Sequence, residues 1–193
     1  MATISATESI TLDGVVQAPG RPDEDTRGGF RHGGWGSPYS DKVAMDFVGE
    51  EMSKPGAMLF GRRTYDDVLD YWSTTTEPNP FSELLINVPK FVVSHAADTV
   101  LSFPNSTLLP GDATETVPRV SADVDGNLSI IGSGELVRSL QAAGLIDEYI
   151  LQIHPLILGS GTKLFSAGNR AELTLGRSVT TSTGVFIGKY STR

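Results

Sequence analysis

The chain of 193 residues contains no cysteine and only three histidines, His32, His95 and His154, set far apart. The first absence excludes disulfides, thiolate metal sites and a cysteine nucleophile. The second leaves no imidazole pair at a metal-ligand spacing, so no metal is expected. Basic residues are scarce as well, 15 against 23 acidic ones, for a formal net charge of −8. Nucleic acid and anionic membrane both need a basic face to displace counterions, so neither is expected as a partner. Long apolar runs are missing too: residues 1–8 have no basic start or apolar core, and no stretch is long enough to span a bilayer. The cytoplasm is therefore the expected location. What is present, 39% hydrophobic and 20% charged residues, is close to the globular norm and can bury a sizeable core, which reads as one domain over residues 1–193.

The most informative stretch is residues 128–165. Leu128, Ile130 and Ile131 form an apolar strand, Gly132-Ser133-Gly134 follows, and Leu136, Val137 and Leu140 then recur at helical spacing until Gly144 can end the helix. Residues 145–149 lead into a second strand at 150–153, which completes a βαβ unit. Small residues between a strand and a helix let the backbone approach an anion, and the helix's unpaired N–H groups and positive dipole end then face it. A phosphate or pyrophosphate is the natural guest, although so short a glycine motif also occurs as a plain tight turn.

Two other strand ends share this character. Residues 57–60 form a short buried strand that runs through Gly61-Arg62-Arg63-Thr64-Tyr65 into a helix continuing through Val68, Leu69 and Trp72. Its turn carries two arginines and a threonine, donors suited to a phosphate, while Thr64 could equally be an N-cap beside solvated arginines. The strand at 90–94 ends with Ser94 and His95. Ligands of open α/β sheets bind outside the carboxyl ends of the strands, where these three turns can converge on one dinucleotide.

Elsewhere, residues 2–12 read as a first strand ending at Asp13-Gly14, and 17–38 as a long Gly-, Arg-, Asp- and Pro-rich loop containing Trp35. Such a loop either covers a site or is a surface insertion. Val43, Ala44, Phe47, Val48 and Met52 make the apolar stripe of a helix over 40–53, flanked by Asp46 and Glu50. The glycine-rich segment 159–162 reads as a structural turn before the final strands.

With these motifs in place, the chain resembles the dihydrofolate reductase fold. It is more similar still to the branch containing the reductase domain of the bifunctional riboflavin-biosynthesis enzyme and its stand-alone relatives. The resemblance covers nearly the whole chain and rests on residues 11–14, the Gly33-Gly34-Trp35 loop, residues 59–65, 87–94, Ile131-Gly132-Ser133, 144–149, 155–165 and Thr183-Gly184-Val185. It implies an α/β, three-layer fold with a twisted, mostly parallel central sheet flanked by helices, and an NADPH-dependent reductase, usually a homodimer. Gly61, Arg62, Arg63 and Thr64 would then meet the adenosine side of NADPH, with Ser94 and His95 near the same phosphate. Ile131, Gly132, Ser133, Gly134, Glu135 and Leu136 would line the pyrophosphate and nicotinamide side.

The implied substrate is a small heterocyclic, pterin- or pyrimidine-like molecule, or a carbonyl compound, reduced at C=N or C=O. Dihydrofolate reductases hold the pterin with a helix carboxylate, and Asp46 is the choice here among Asp41, Asp46 and Glu50. Asp13 is either a site residue or part of an Asp-Gly turn, and Trp35 is expected, as an exposed tryptophan among glycines, to stack on a planar substrate or lid the cofactor. Two departures argue against the riboflavin step itself. No deaminase zinc site can exist without cysteine, and the glutamate usual just before the glycine pair is replaced by Ile131. The competing class is a dimeric ligand-binding protein that keeps the fold without turnover.

Overall fold

In the computed structural model, which describes residues 1–54, 56–74, 80–165 and 167–193, eight strands form one sheet in the order β4-β3-β2-β5-β1-β6-β8-β7. The first six pair in parallel; β8 (Phe186–Thr192) and β7 (Leu173–Thr180) close one edge antiparallel. The expected α/β fold with a mostly parallel sheet between helices is thus observed.

The centre of the sheet is β1 (Thr3–Thr11), flanked by β5 (Asn127–Ile131) and β6 (Glu148–His154). Side chains alternate along a strand. Ile4, Ala6 and Ile10 therefore share one face, where they pack with Leu128, Ile130, Tyr149 and Leu151 beneath α4 (Ala113–Asp123) and α5 (Gly134–Ala142). The apolar stripe foreseen for α5, Leu136, Val137 and Leu140, is buried in this core. Gly144 ends the helix at φ +68, with Leu145 N bonded to Leu140 O at 2.9 Å and Gly144 N to Gln141 O at 3.0 Å. That pair of bonds is the Schellman termination a left-handed glycine permits.

The opposite face is covered by α1 (Lys42–Met52), α2 (Arg62–Ser73) and α3 (Pro80–Asn87), which pack on β2 (Gly56–Gly61) and β3 (Lys90–Ser94) through Met52, Met58, Phe60, Tyr65, Leu69, Leu85 and Val92. Phe47 of α1 meets Ile150, Val185 and Ile187. The connection from β1 to β2 thus runs under one face, and that from β5 to β6 runs over the other. Adjacent β1 and β5 consequently send their chains in opposite directions, and this opens a crevice at their carboxyl ends.

The helix expected over 40–53 is Lys42–Met52, capped by Asp41, whose carboxylate accepts from Val43 N at 2.7 Å. Thr64 is not a cap, since α2 already starts at Arg62 behind Gly61. The sequence reading did not resolve α3, β4 (Ser106–Pro110) or α4, the last of which carries Pro118 inside it. Lys90 fixes the end of α3 unexpectedly: only 1% exposed, its Nζ donates to Leu85 O, Ile86 O and Val88 O at 2.8 to 3.1 Å. No helix among the described residues is long and apolar enough to cross a membrane.

Candidate functional site

The crevice opens into a cleft of about 2030 Å³ bounded by the strand ends, the first turns of α2 and α5, the inner side of α1 and the long loop. Of the open alternatives for 17–38, the structure favours a cover over the cleft. Residues 16–20, 23–30 and 36–37 line it. The loop holds its shape through a small core of Val15, Ala18, Phe30 and Trp35, joined by Leu156 and Leu158. Gln17 clasps both ends: its amide donates to Asp25 O at 3.2 Å and Arg27 O at 3.0 Å, and its carbonyl accepts from Thr162 N at 2.9 Å. Segment 159–162 is accordingly a structural turn, as expected, but Ser160, Gly161 and Thr162 also reach the cleft.

The two strand-to-helix turns stand against each other at the other wall. Gly132 (φ +60) and Ser133 (φ +67, ψ 51) are both left-handed, an arrangement that is cheap for glycine and strained for serine. The serine hydroxyl accepts from Gly61 N at 3.0 Å and so ties the end of β2 to the start of α5. A Cβ on Gly132 would sit 3.2 Å from Thr64 Cγ2, which puts the two turns within contact of one another. Arg63 and Glu135, both largely exposed, approach to 3.8 Å across the mouth, and Arg62 Nε donates to Asp66 at 2.7 Å. Ser94 and His95 also line the cleft, with Ser94 Oγ 2.8 Å from Thr99 Oγ1. All twelve positions expected to meet a dinucleotide, including Ile131, Gly134 and Leu136, border this one cavity.

The three residues chosen for catalysis do not join them. Asp46 points to solvent on the outer side of α1, where Lys42 Nζ holds it at 2.6 Å, because the apolar stripe turns Phe47 inward instead. Asp13 is spent on local structure: its carboxylate accepts from Thr11 Oγ1 at 2.5 Å, Leu158 N at 3.2 Å and Gly159 N at 2.9 Å. Those donors, Thr11 first, bring its pKa down to about 2. Trp35, expected to be exposed, is 7% exposed; its Nε1 donates to Gln17 O at 2.7 Å and its ring stands edge-on to His154 at 5.0 Å. The tryptophan among glycines shapes the loop from within.

Sequence reasoning passed over two cleft-lining residues. His154 lies between Trp35 and Tyr39, with Nδ1 3.1 Å from Gln152 O, and burial pushes its pKa down. Glu8 stands on β1, 2% exposed, and its Oε1 is buried without a hydrogen-bond partner among the described residues. Burial raises its pKa to about 8 against the weaker opposing field of Arg138. The clue lay in the alternation of β1: glutamate occupies the phase otherwise held by Ile4, Ala6 and Ile10. Among the described residues no group of three histidine, aspartate or glutamate side chains could hold a metal ion.

Donor-rich turns, a left-handed glycine and two helix N-termini facing one cavity suit a dinucleotide's phosphates. Fold and cleft together define an α/β protein of the dihydrofolate reductase type. The chain belongs to the RibD C-terminal domain family, whose model matches residues 2–187. It is 28% identical over 185 residues to the uncharacterized protein YyaP of Bacillus subtilis, covering 92% of this chain and 88% of that one. A deaminase/5-amino-6-(5-phosphoribosylamino)uracil reductase from Thermotoga maritima is similar in structure with a TM-score of 0.65 at 13% identity, over 100% of this chain and 57% of that one. Dihydrofolate reductase from Enterococcus faecalis, solved with NADP(H), has a TM-score of 0.61 at 12% identity, over 99% and 96% of the two chains.

Proposed function

We propose that this chain is an NADPH-dependent reductase acting on a C=N or C=O group of a small heterocyclic, pyrimidine- or pterin-like, or carbonyl compound. The observation that carries the reading is the convergence of the Gly61–Thr64 and Gly132–Gly134 turns, tied by the Gly61–Ser133 bond, on the crevice between β1 and β5. The named activities of the Thermotoga and Enterococcus proteins and the family membership support it.

A bound nicotinamide cofactor would supply the hydride. The chain's own residues do the rest. The backbone N–H groups opening α5 and α2 would hold the pyrophosphate and the adenosine-side phosphate, with Thr64 in the first turn of α2. Arg63, which has only a loose 3.8 Å contact with Glu135, is free to turn to a 2′-phosphate, and His95 lies on the same wall. The loop, held by its core around Trp35, would cover the cleft from one side. The planar substrate would lie along β1 beyond the end of β5, in the part of the cleft that Glu8, Ser9, Gln152 and His154 all border.

Two measurements test the reading. NADPH should quench tryptophan fluorescence and bind ten- to a hundredfold more tightly than NADH, since a charge-assisted contact to the extra phosphate contributes roughly 1.5–3 kcal/mol. NADPH should also be oxidised in the presence of some member of a panel of pterins, aminopyrimidines and quinones; binding without any oxidation favours the ligand-binding alternative. We further propose a homodimer, and light scattering that returns a mass near 20.6 kDa would refute it.

A further inference from the structure

We propose that Glu8 is the proton donor of the cleft, a neutral carboxylic acid that protonates the heteroatom of the bound hydride acceptor. The inference rests on the reductase reading and deepens it by naming the acid.

The position of Glu8 is set by register. The last β1–β5 pair is Thr7 with Ile131, and Gly132 N still reaches Thr7 O at 3.4 Å. Glu8 is the next residue, the first on β1 to have lost its β5 neighbour, while β6 continues beside it through Leu151. Its side chain enters the sheet exactly where the crevice begins, on the face covered by the start of α5. No group among the described residues answers it: Oε1 makes no hydrogen bond to any of them, although a buried polar atom left unpaired is costly and rare. An unpaired carboxyl at the floor of a cavity is explained by a ligand group that completes it.

The other acids lining the cleft each have a partner. Glu24 accepts from Gly20 N and Arg21 N, Asp41 from Val43 N and Ser182 N, and Asp112 from Thr114 N, while Asp67 and Asp23 pair with Arg21, Asp25 with Arg27, and Glu135, at the exposed mouth, with Arg63. Leu151, the β6 neighbour of Glu8, is apolar, and so is Ile130, which pairs with Ala6 one step back on the same face. Arg138 of α5 is the charged group whose field reaches it, and that guanidinium is itself bonded to Lys163 O at 2.9 Å. Desolvation outweighs this field, and Glu8 keeps its proton at neutral pH.

The step balances. The Glu8 O–H bond breaks and an N–H or O–H bond forms on the acceptor, whose C=N or C=O π pair takes the proton as its carbon receives the hydride of the reduced nicotinamide cofactor. The carboxylate left behind is reprotonated from solvent through the cleft mouth.

The experiment uses the full chain with 13C-labelled glutamate carboxyls and the Glu8→Gln variant to assign the resonance. With saturating NADPH, the Glu8 carboxyl should remain protonated at pH 7; a midpoint in the ordinary carboxylate range near 4.5 overturns the proposal without reference to turnover. For any panel compound that the parent reduces, Glu8→Gln should lower kcat about 10²- to 10⁴-fold and abolish the parent's basic limb, with NADPH affinity kept within threefold. Turnover by Glu8→Gln within threefold of the parent at every pH refutes the donor and leaves the reductase reading intact. A parent that neither binds NADPH nor oxidises it refutes the reductase reading instead.

Discussion

Gly61 N and Ser133 Oγ lie 3.0 Å apart across 72 residues of sequence, and this one hydrogen bond fixes the separation of the two turns that wall the cleft. The serine adopts a left-handed backbone to make it. Ser133→Ala keeps that strain and loses the bond, so it should cost about 1 kcal/mol and loosen NADPH binding; Ser133→Gly relieves the strain and should cost less stability. Chemical denaturation and NADPH titration of both variants check the ordering. A Ser133→Ala variant as stable and as tight as the parent would remove the latch from the account.

Gly132 and Gly159 are both left-handed, at φ +60 and +72, yet they sit in different surroundings. A side chain at Gly132 crowds Thr64 at the cleft wall, whereas one at Gly159 meets nothing within 4 Å. Both Gly132→Val and Gly159→Ala should lower the melting temperature, by about 1 kcal/mol or more of strain each. Only Gly132→Val should abolish NADPH binding. A Gly132→Val protein that folds and binds normally would refute the phosphate-cradle role of this turn.

Two carboxyls should make stability depend on pH with opposite signs. Asp13 has a folded-state pKa near 2, below its usual 3.8, so its contribution is complete above about pH 4 and is lost as pH falls toward 2. Glu8 has the opposite sign. Its pKa rises from 4.5 to about 8, so the folded state holds the extra proton between those values, and stability declines as pH climbs through that window. Melting temperatures across pH should show a decline between about pH 4.5 and 8 that Glu8→Gln flattens, and an acid limb below about pH 4 that Asp13→Asn reduces. An unchanged decline between pH 4.5 and 8 in Glu8→Gln would contradict this assignment.

Lys90 tests the packing under α3. Its ammonium closes three carbonyls at the end of that helix in a nearly dry position. Lys90→Met fills similar volume but orphans those carbonyls, and should cost about 2–4 kcal/mol in urea unfolding. Since Lys90 lies outside the cleft, NADPH affinity measured well below the melting temperature should be unchanged.

The sequence by itself determined the frame: hydrophobic periodicity and glycine punctuation placed β1, α1, β2, α2, β3, β5, α5 and β6, because those signals depend only on neighbours along the chain. It also marked the turn residues Gly61–Thr64 and Gly132–Gly134, whose small or donor side chains are legible locally. Tertiary structure alone decided which carboxylates face the cleft. Asp46 and Asp13 looked promising by type and position, but the rotation of α1 and the donors of segment 158–159 turned them elsewhere. Trp35 looked exposed beside its glycines, yet the loop folds back over Val15 and buries it. Glu8 drew no notice in a short polar-looking strand. Its chemistry exists only because β5 stops one residue earlier and α5 closes over the gap, and such a desolvated pocket is made by strands that meet across more than a hundred residues of chain.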